Sequence, residues 1–143
     1  MALWAGIAEI LGGRAVLGHL NKPEDLREAV RAGLPLISLH SLQESLQISR
    51  EGLSRMLSMP ERTLARRQKQ ARLTADESDR LIRVARVMAH AIEVLGSRDK
   101  AAHWLRTANR ALGGTAPLLL LDTDIGTEQV SEILARIEHG IYS

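Results

Sequence analysis

The sequence predicts an all-α protein, and three observations carry that expectation. Phenylalanine is absent and aromatic residues make up only 2% of the chain, so a core must be built from Leu, Ile, Val, Ala and Met, which suit packed helices. Apolar residues recur at helical spacing through most of the sequence. Segment ends carry helix caps and stop signals, among them Ser49, Thr74 with Glu77, Ser97, Gly33 and Gly96. At 143 residues and 45% hydrophobic, the chain can bury a core of its own.

The first expected helix runs from Leu3 to Leu11 and stops at Gly12 and Gly13. A second opens at Pro23, with Glu24 and Asp25 complementing its dipole, and closes at Gly33 and Pro35. Leu39, Leu42 and Leu46 mark a third helix. Ser49 caps the next, whose inward positions are Leu53, Met56 and Leu57, and Pro60 fits the first position of another that runs to about Gln70. The capping box Thr74-Ala75-Asp76-Glu77 starts a long helix with the stripe Leu81, Val84, Ala85, Met88, Ile92 and Leu95, ended by Gly96. Ser97 caps a helix through Ala101, Trp104, Leu105 and Ala108. Beyond the breaks at Gly113, Gly114 and Pro117, Thr127 is expected to cap a last helix with Val130, Ile133, Leu134 and Ile137 inward.

Several classes of function are disfavoured. Without cysteine there can be no disulfide, thiolate zinc site or cysteine nucleophile, which fits a reducing cytoplasm. The apolar stretch Ala2–Leu20 is interrupted by Glu9 and has no basic flank, unlike a signal peptide, and no run approaches the roughly 18 apolar residues of a membrane span. The five histidines show no i, i+4 pair that would suggest zinc. Asp122 and Asp124 would face one side of an extended segment and could serve as an acid pair, but no nucleophile motif accompanies them. Gly113-Gly114 lacks the lysine of a phosphate loop. We expect a binding protein rather than an enzyme, and no cofactor.

The net charge of +2 hides a strong asymmetry. Between Arg50 and Arg86, ten basic residues face five acids, whereas from Asp122 to Ser143 five acids face Arg136 alone. Ser49–Gln70 has the layout of a helix-turn-helix, with Leu53, Met56, Leu57, Met59 and Leu64 holding two short helices together. Arg62, Arg66, Arg67 and Lys69 are then expected to face outward, and with Thr63 they form the candidate DNA-binding set. The turn position where glycine is usual holds Ser58, which must tolerate or avoid a left-handed conformation.

In the C-terminal half, Ala101, Trp104-Leu105, Asn109, Leu112-Gly113-Gly114, Pro117-Leu118, Leu121, Thr123, Gly126, Val130, Leu134, Ile137-Glu138 and Gly140 resemble the toxin-binding domain of Xre/ParS/MbcA-type antitoxins. In the middle, Arg62-Thr63-Leu64-Ala65-Arg66-Arg67, Leu73-Thr74 and Glu77-Ser78-Asp79-Arg80-Leu81 resemble the Xre-like DNA-binding half of the same family. Together these matches cover about residues 35 to 142. The resemblance implies a type II antitoxin that covers the active site of a RES-domain, NAD-depleting toxin and represses its own operon by binding operator DNA; we expect a homodimer and a hetero-oligomer with the toxin. The expected units are a helical segment 1–34 that could serve dimerisation, a helix-turn-helix region 35–96 and a toxin-binding lobe 97–143.

The candidate toxin-binding residues are Trp104, Asp122, Asp124, Glu138, Gly140, Ile141, Tyr142 and Ser143. Two readings of Trp104 stay open, a packing anchor or an interface residue. So do two of Tyr142, an interface anchor or a frayed end. The competing function is a stand-alone helix-turn-helix regulator whose C-terminal half only dimerises or senses an effector.

Overall fold

The computed structural model describes residues 2–140, which fold as helices joined by short turns, with no strand among them. The elements are α1 (Ala2–Ile10), α2 (Arg14–Leu17), α3 (Pro23–Ala32), α4 (Leu36–Leu46), α5 (Arg50–Met56), α6 (Glu61–Gln70), α7 (Ala75–Leu95), α8 (Arg98–Arg106) and α9 (Asp124–Glu138). Two single turns of 3₁₀ helix, Arg110–Leu112 and Pro117–Leu120, fill the stretch between α8 and α9.

The spine of the molecule is α7, about 31 Å long at the usual helical rise. A surface helix buries one stripe, whereas α7 buries Leu81, Ile82, Val84, Ala85, Val87, Met88, Ala89 and Ala91 on several sides. Helices α1, α3, α4, α8 and α9 all pack against it, and one aliphatic core runs the length of the protein. Its first turn is closed reciprocally, as the sequence predicts: the Glu77 amide donates to Thr74 Oγ1 (3.2 Å) and the Thr74 amide to Glu77 Oε1 (2.9 Å).

The N-terminal segment is built into this core. Ile7, Ile10 and Leu11 are buried between α7 and α4. A Cβ added at Gly6 would stand 3.4 Å from the Cβ of Ala89, so the two helices meet through small residues. Ser38 and Ser41 of α4 donate their hydroxyls to the carbonyls of Leu11 and Ile10, both at 2.7 Å, and so satisfy acceptors left free at the end of α1. The inward face of α1 is therefore covered by the chain's own helices, and a dimer contact made by this segment would have to use its outer face.

A second tie joins the two linkers that flank α4 to α6. Gly33 has φ +86°, and a Cβ there would fall 2.3 Å from the Leu73 carbonyl oxygen, so this close approach requires glycine. Around it the Leu73 amide donates to Leu34 O and the Leu36 amide to Ala71 O, each at 2.9 Å. The buried Ser78 hydroxyl accepts from the Leu34 amide at 2.8 Å.

Two expected helix starts move. Pro60 is the residue before α6 rather than its first position. The last helix begins at Asp124, capped by the Thr123 hydroxyl, which accepts from the Gly126 amide (2.9 Å), and Thr127 lies inside it. Asp122 and Asp124 thus do not share an extended segment: one lies in the turn and the other opens the helix. No helix among the described residues is long and apolar enough to cross a membrane.

Candidate functional site: a cationic helix and an acidic helix on one spine

Helices α5 and α6 form the helix-turn-helix. Ser49 caps α5 by accepting from the Gly52 amide (3.1 Å), and Leu53, Met56, Leu57, Met59 and Leu64 close the space between the helices. At the turn Ser58 adopts the left-handed conformation, φ +53°, so the serine tolerates what glycine would adopt freely. Two clamps hold this turn. The Ser54 hydroxyl donates to the Met59 carbonyl. Arg80, from α7, donates through Nη1 to the carbonyls of Leu57 (2.8 Å) and Ser58 (3.1 Å). Arg80 was not among the expected site residues; its chemical role here is to hold backbone carbonyls.

Arg62, Arg66 and Lys69 are exposed and spaced i, i+4, i+7, so they form one outward ridge on α6. Thr63 is half-buried beside that ridge. Arg67 departs from the expectation. It falls on the Leu64 side of the helix and is buried, so it cannot share the outward ridge. Its Nε and Nη2 donate to Oε1 and Oε2 of Glu77, both at 2.7 Å, and its Nη1 donates to Gln70 Oε1 at 2.7 Å. The side chains of the pair are only 11% and 6% exposed.

A bidentate arginine–carboxylate pair is the geometry that offsets the loss of water around two charges. Burial pushes the Glu77 carboxyl up, but hydrogen bonds from Arg67 and from Thr74 outweigh it and hold the group below the usual carboxylate range. The same hydrogen bond with Glu77 raises the Arg67 guanidinium further above its ordinary value.

In the C-terminal stretch, Gly126, Val130 and Leu134 are the buried stripe of α9. Its outward ridge is Ile125, Gln129, Glu132, Arg136 and His139, with Glu128 alongside, all exposed. A Cβ at Gly126 would stand 1.9 Å from the Leu120 carbonyl oxygen, so the helix rests directly on the Pro117–Leu120 turn. Arg83 of α7 pairs with Asp124 (3.1 Å), and His90 contacts Glu138 (3.1 Å). Between α7 and α9 lies an open groove bordered by Asp79, Arg83, Arg86, Asp124, Glu128 and Glu132.

Of the expected toxin-binding residues, Asp122, Asp124, Glu138 and Gly140 are exposed around α9. Trp104 lies on α8, partly buried and packed against the core. The structure does not bring it into one cluster with the end of α9. Ile141, Tyr142 and Ser143 lie outside the described residues.

A helix-turn-helix with an outward cationic ridge, fused through a shared spine to an acidic helical lobe, defines a protein of the helix-turn-helix class with a second binding surface. Comparison with known proteins narrows the class. Residues 25–86 match the antitoxin Xre-like helix-turn-helix domain, and residues 90–140 match the antitoxin Xre/MbcA/ParS C-terminal toxin-binding domain. The chain is 36% identical over 120 residues to Antitoxin Xre of Photorhabdus laumondii, covering 82% of this chain and 81% of that protein. It is 32% identical over 120 residues to Antitoxin Xre of Yersinia enterocolitica, with the same coverage. A third relative, Antitoxin Xre of Pseudomonas putida, is 42% identical over 83 residues, 57% of this chain and 52% of that one. The chain belongs to the Xre/MbcA/ParS antitoxin family: it is an antitoxin with a helix-turn-helix domain and a toxin-binding domain.

Proposed function

We propose that this antitoxin neutralises a RES-domain, NAD-depleting toxin by covering its active site, and that it represses its own operon as a dimer in the cytoplasm. The observation that carries the reading is the pair of oppositely charged exposed surfaces on one fold: Arg62, Arg66 and Lys69 on α6, and Glu128 and Glu132 on α9. A cationic ridge on the second helix of a helix-turn-helix suits phosphates and base edges in a major groove. A pocket that receives the phosphates of NAD should be electropositive, and an acidic helix whose carbonyl end carries the negative pole of its dipole is complementary to it. The tail Ile141-Tyr142-Ser143 follows that end and is the plug in this reading.

Each half has its own test. Coexpression with the toxin encoded beside this gene, with cellular NAD as readout, should show NAD preserved by the full chain and consumed again when residues 141–143 are deleted. Operator retention should be unaffected by the deletion. Full neutralisation by the shortened chain would refute the plug. For the DNA half, alanine at Arg62, Arg66 and Lys69 should abolish retention, and each single change should flatten the salt dependence of binding by roughly 0.9 in log–log slope. Wild-type affinity in the triple variant would show that α6 does not read the operator. A chain that held its operator but protected no NAD would be a stand-alone regulator.

A further inference from the structure

We infer that Leu119 and Ile125 form an apolar anchor for the toxin, at the opposite end of α9 from the tail; the inference rests on the toxin-binding reading of this lobe. Ile125 is 73% exposed and Leu119 46%, on a protein whose other large aliphatic side chains are, Ile37 apart, buried or half-buried among the described residues. Their backbone neighbours touch. Leu120 and Gly126 are in direct backbone apposition, as the 1.9 Å approach of a Cβ at Gly126 to the Leu120 carbonyl oxygen shows, and Leu119 and Ile125 are the chain neighbours of that touching pair.

Nothing inside the fold calls for isoleucine at 125. It heads the solvent ridge of α9, opposite Val130 and Leu134, in the first helical turn, where a β-branched residue is a poor helix former and an acid would be favoured. The occupant follows from the surroundings. The pair lies within residues 90–140, the stretch that matches a toxin-binding domain, and the exposed acids Asp122, Asp124 and Glu128 are its near neighbours in the chain, Asp124 being paired with Arg83. An apolar contact in an acid-rich stretch of chain fits a toxin surface with an apolar pocket and basic border, the same sign of charge that the tail's target requires. The ridge from Ile125 through Gln129, Glu132 and Arg136 runs to the end of α9, about 20 Å away at the usual rise, a span that one standard protein interface covers.

The test uses the full chain with Ile125→Asp, Leu119→Ser, and both together, titrated with the toxin of the same operon. Aspartate at the second position of a helix is favourable, so the fold should survive, which circular dichroism and retained operator binding would verify. The double variant should bind the toxin about 30-fold more weakly or worse, as expected for loss of a hot spot. Affinity within twofold of wild type would overturn the inference. So would intact toxin binding accompanied by loss of self-association in sedimentation, since the pair would then face a second copy of this chain. Failure of the wild-type chain to bind the toxin at all would instead remove the reading on which the anchor rests.

Discussion

Replacing Glu77 by alanine removes two interactions at once: the buried partner of Arg67 and the return bond of the capping box to the Thr74 amide. Arg67 would keep its charge, because a guanidinium is not deprotonated in a protein at any accessible pH, and it would be left enclosed with only Gln70 as a polar partner. Stranding one member of a buried ion pair costs about 3 to 5 kcal/mol, and the lost cap adds about 1 kcal/mol at most. For a chain of this length that corresponds to a fall of roughly 10 to 20 °C in melting temperature. Urea denaturation followed by circular dichroism measures it directly. The double variant Arg67→Met with Glu77→Leu should recover most of the loss, because apolar groups of similar size need no partners. A Glu77→Ala protein within 1 kcal/mol of wild type, with an unchanged denaturant slope, would refute the assignment of this pair as a structural clamp between α6 and α7.

Three further outcomes are expected. Because the folded-state pKa of Glu77 lies below its unfolded value, the pair's contribution is complete above the ordinary glutamate range, about pH 4.3, and is lost as pH falls through the lowered value; acid unfolding monitored with wild type and the Met/Leu double variant should show that added acid sensitivity only in wild type. Gly126→Ala should destabilise the α9 lobe by more than about 2 kcal/mol, since its Cβ would collide with the Leu120 carbonyl; a variant with unchanged melting would mean that the turn and the helix can separate freely. Trp104→Ala should cost about 1 to 3 kcal/mol, less than the 3 to 5 of a fully buried indole, because the side chain is only partly covered; a variant that kept its melting temperature yet lost the toxin would place the indole in the interface instead.

Most of the fold was legible because its helix ends are written locally. Ser49, Ser97 and the Thr74–Glu77 box cap the helices they were expected to cap. The last helix was misplaced at its start because Gly126 looks like a break, whereas the glycine is there for the close approach of Leu120. Arg67 was misread for a related reason. Its charge suggested solvent, although its spacing from Leu64 put it on the inward side, while Arg62, Arg66 and Lys69 shared the opposite ridge. Its partner, Glu77, is ten residues away on another helix and was already accounted for as a cap. Arg80 escaped notice because its acceptors are backbone carbonyls, which no side-chain pattern reveals. The exposure of Ile125 could not be read either, since it follows from where α9 begins.

The two matched stretches end at residue 86 and begin at residue 90, and no linker lies there: both positions fall inside α7. An antitoxin of this design cannot be divided as two beads on a string. A fragment cut at that seam would keep half a spine and bare Val87, Met88 and Ala91, which the intact chain buries. Swapping the DNA specificity of one relative onto the toxin specificity of another therefore calls for a junction that carries α7 whole together with the helices resting on it. Under the opposite plan, with a flexible hinge, the two surfaces could have diverged independently; here each inherits the other's packing.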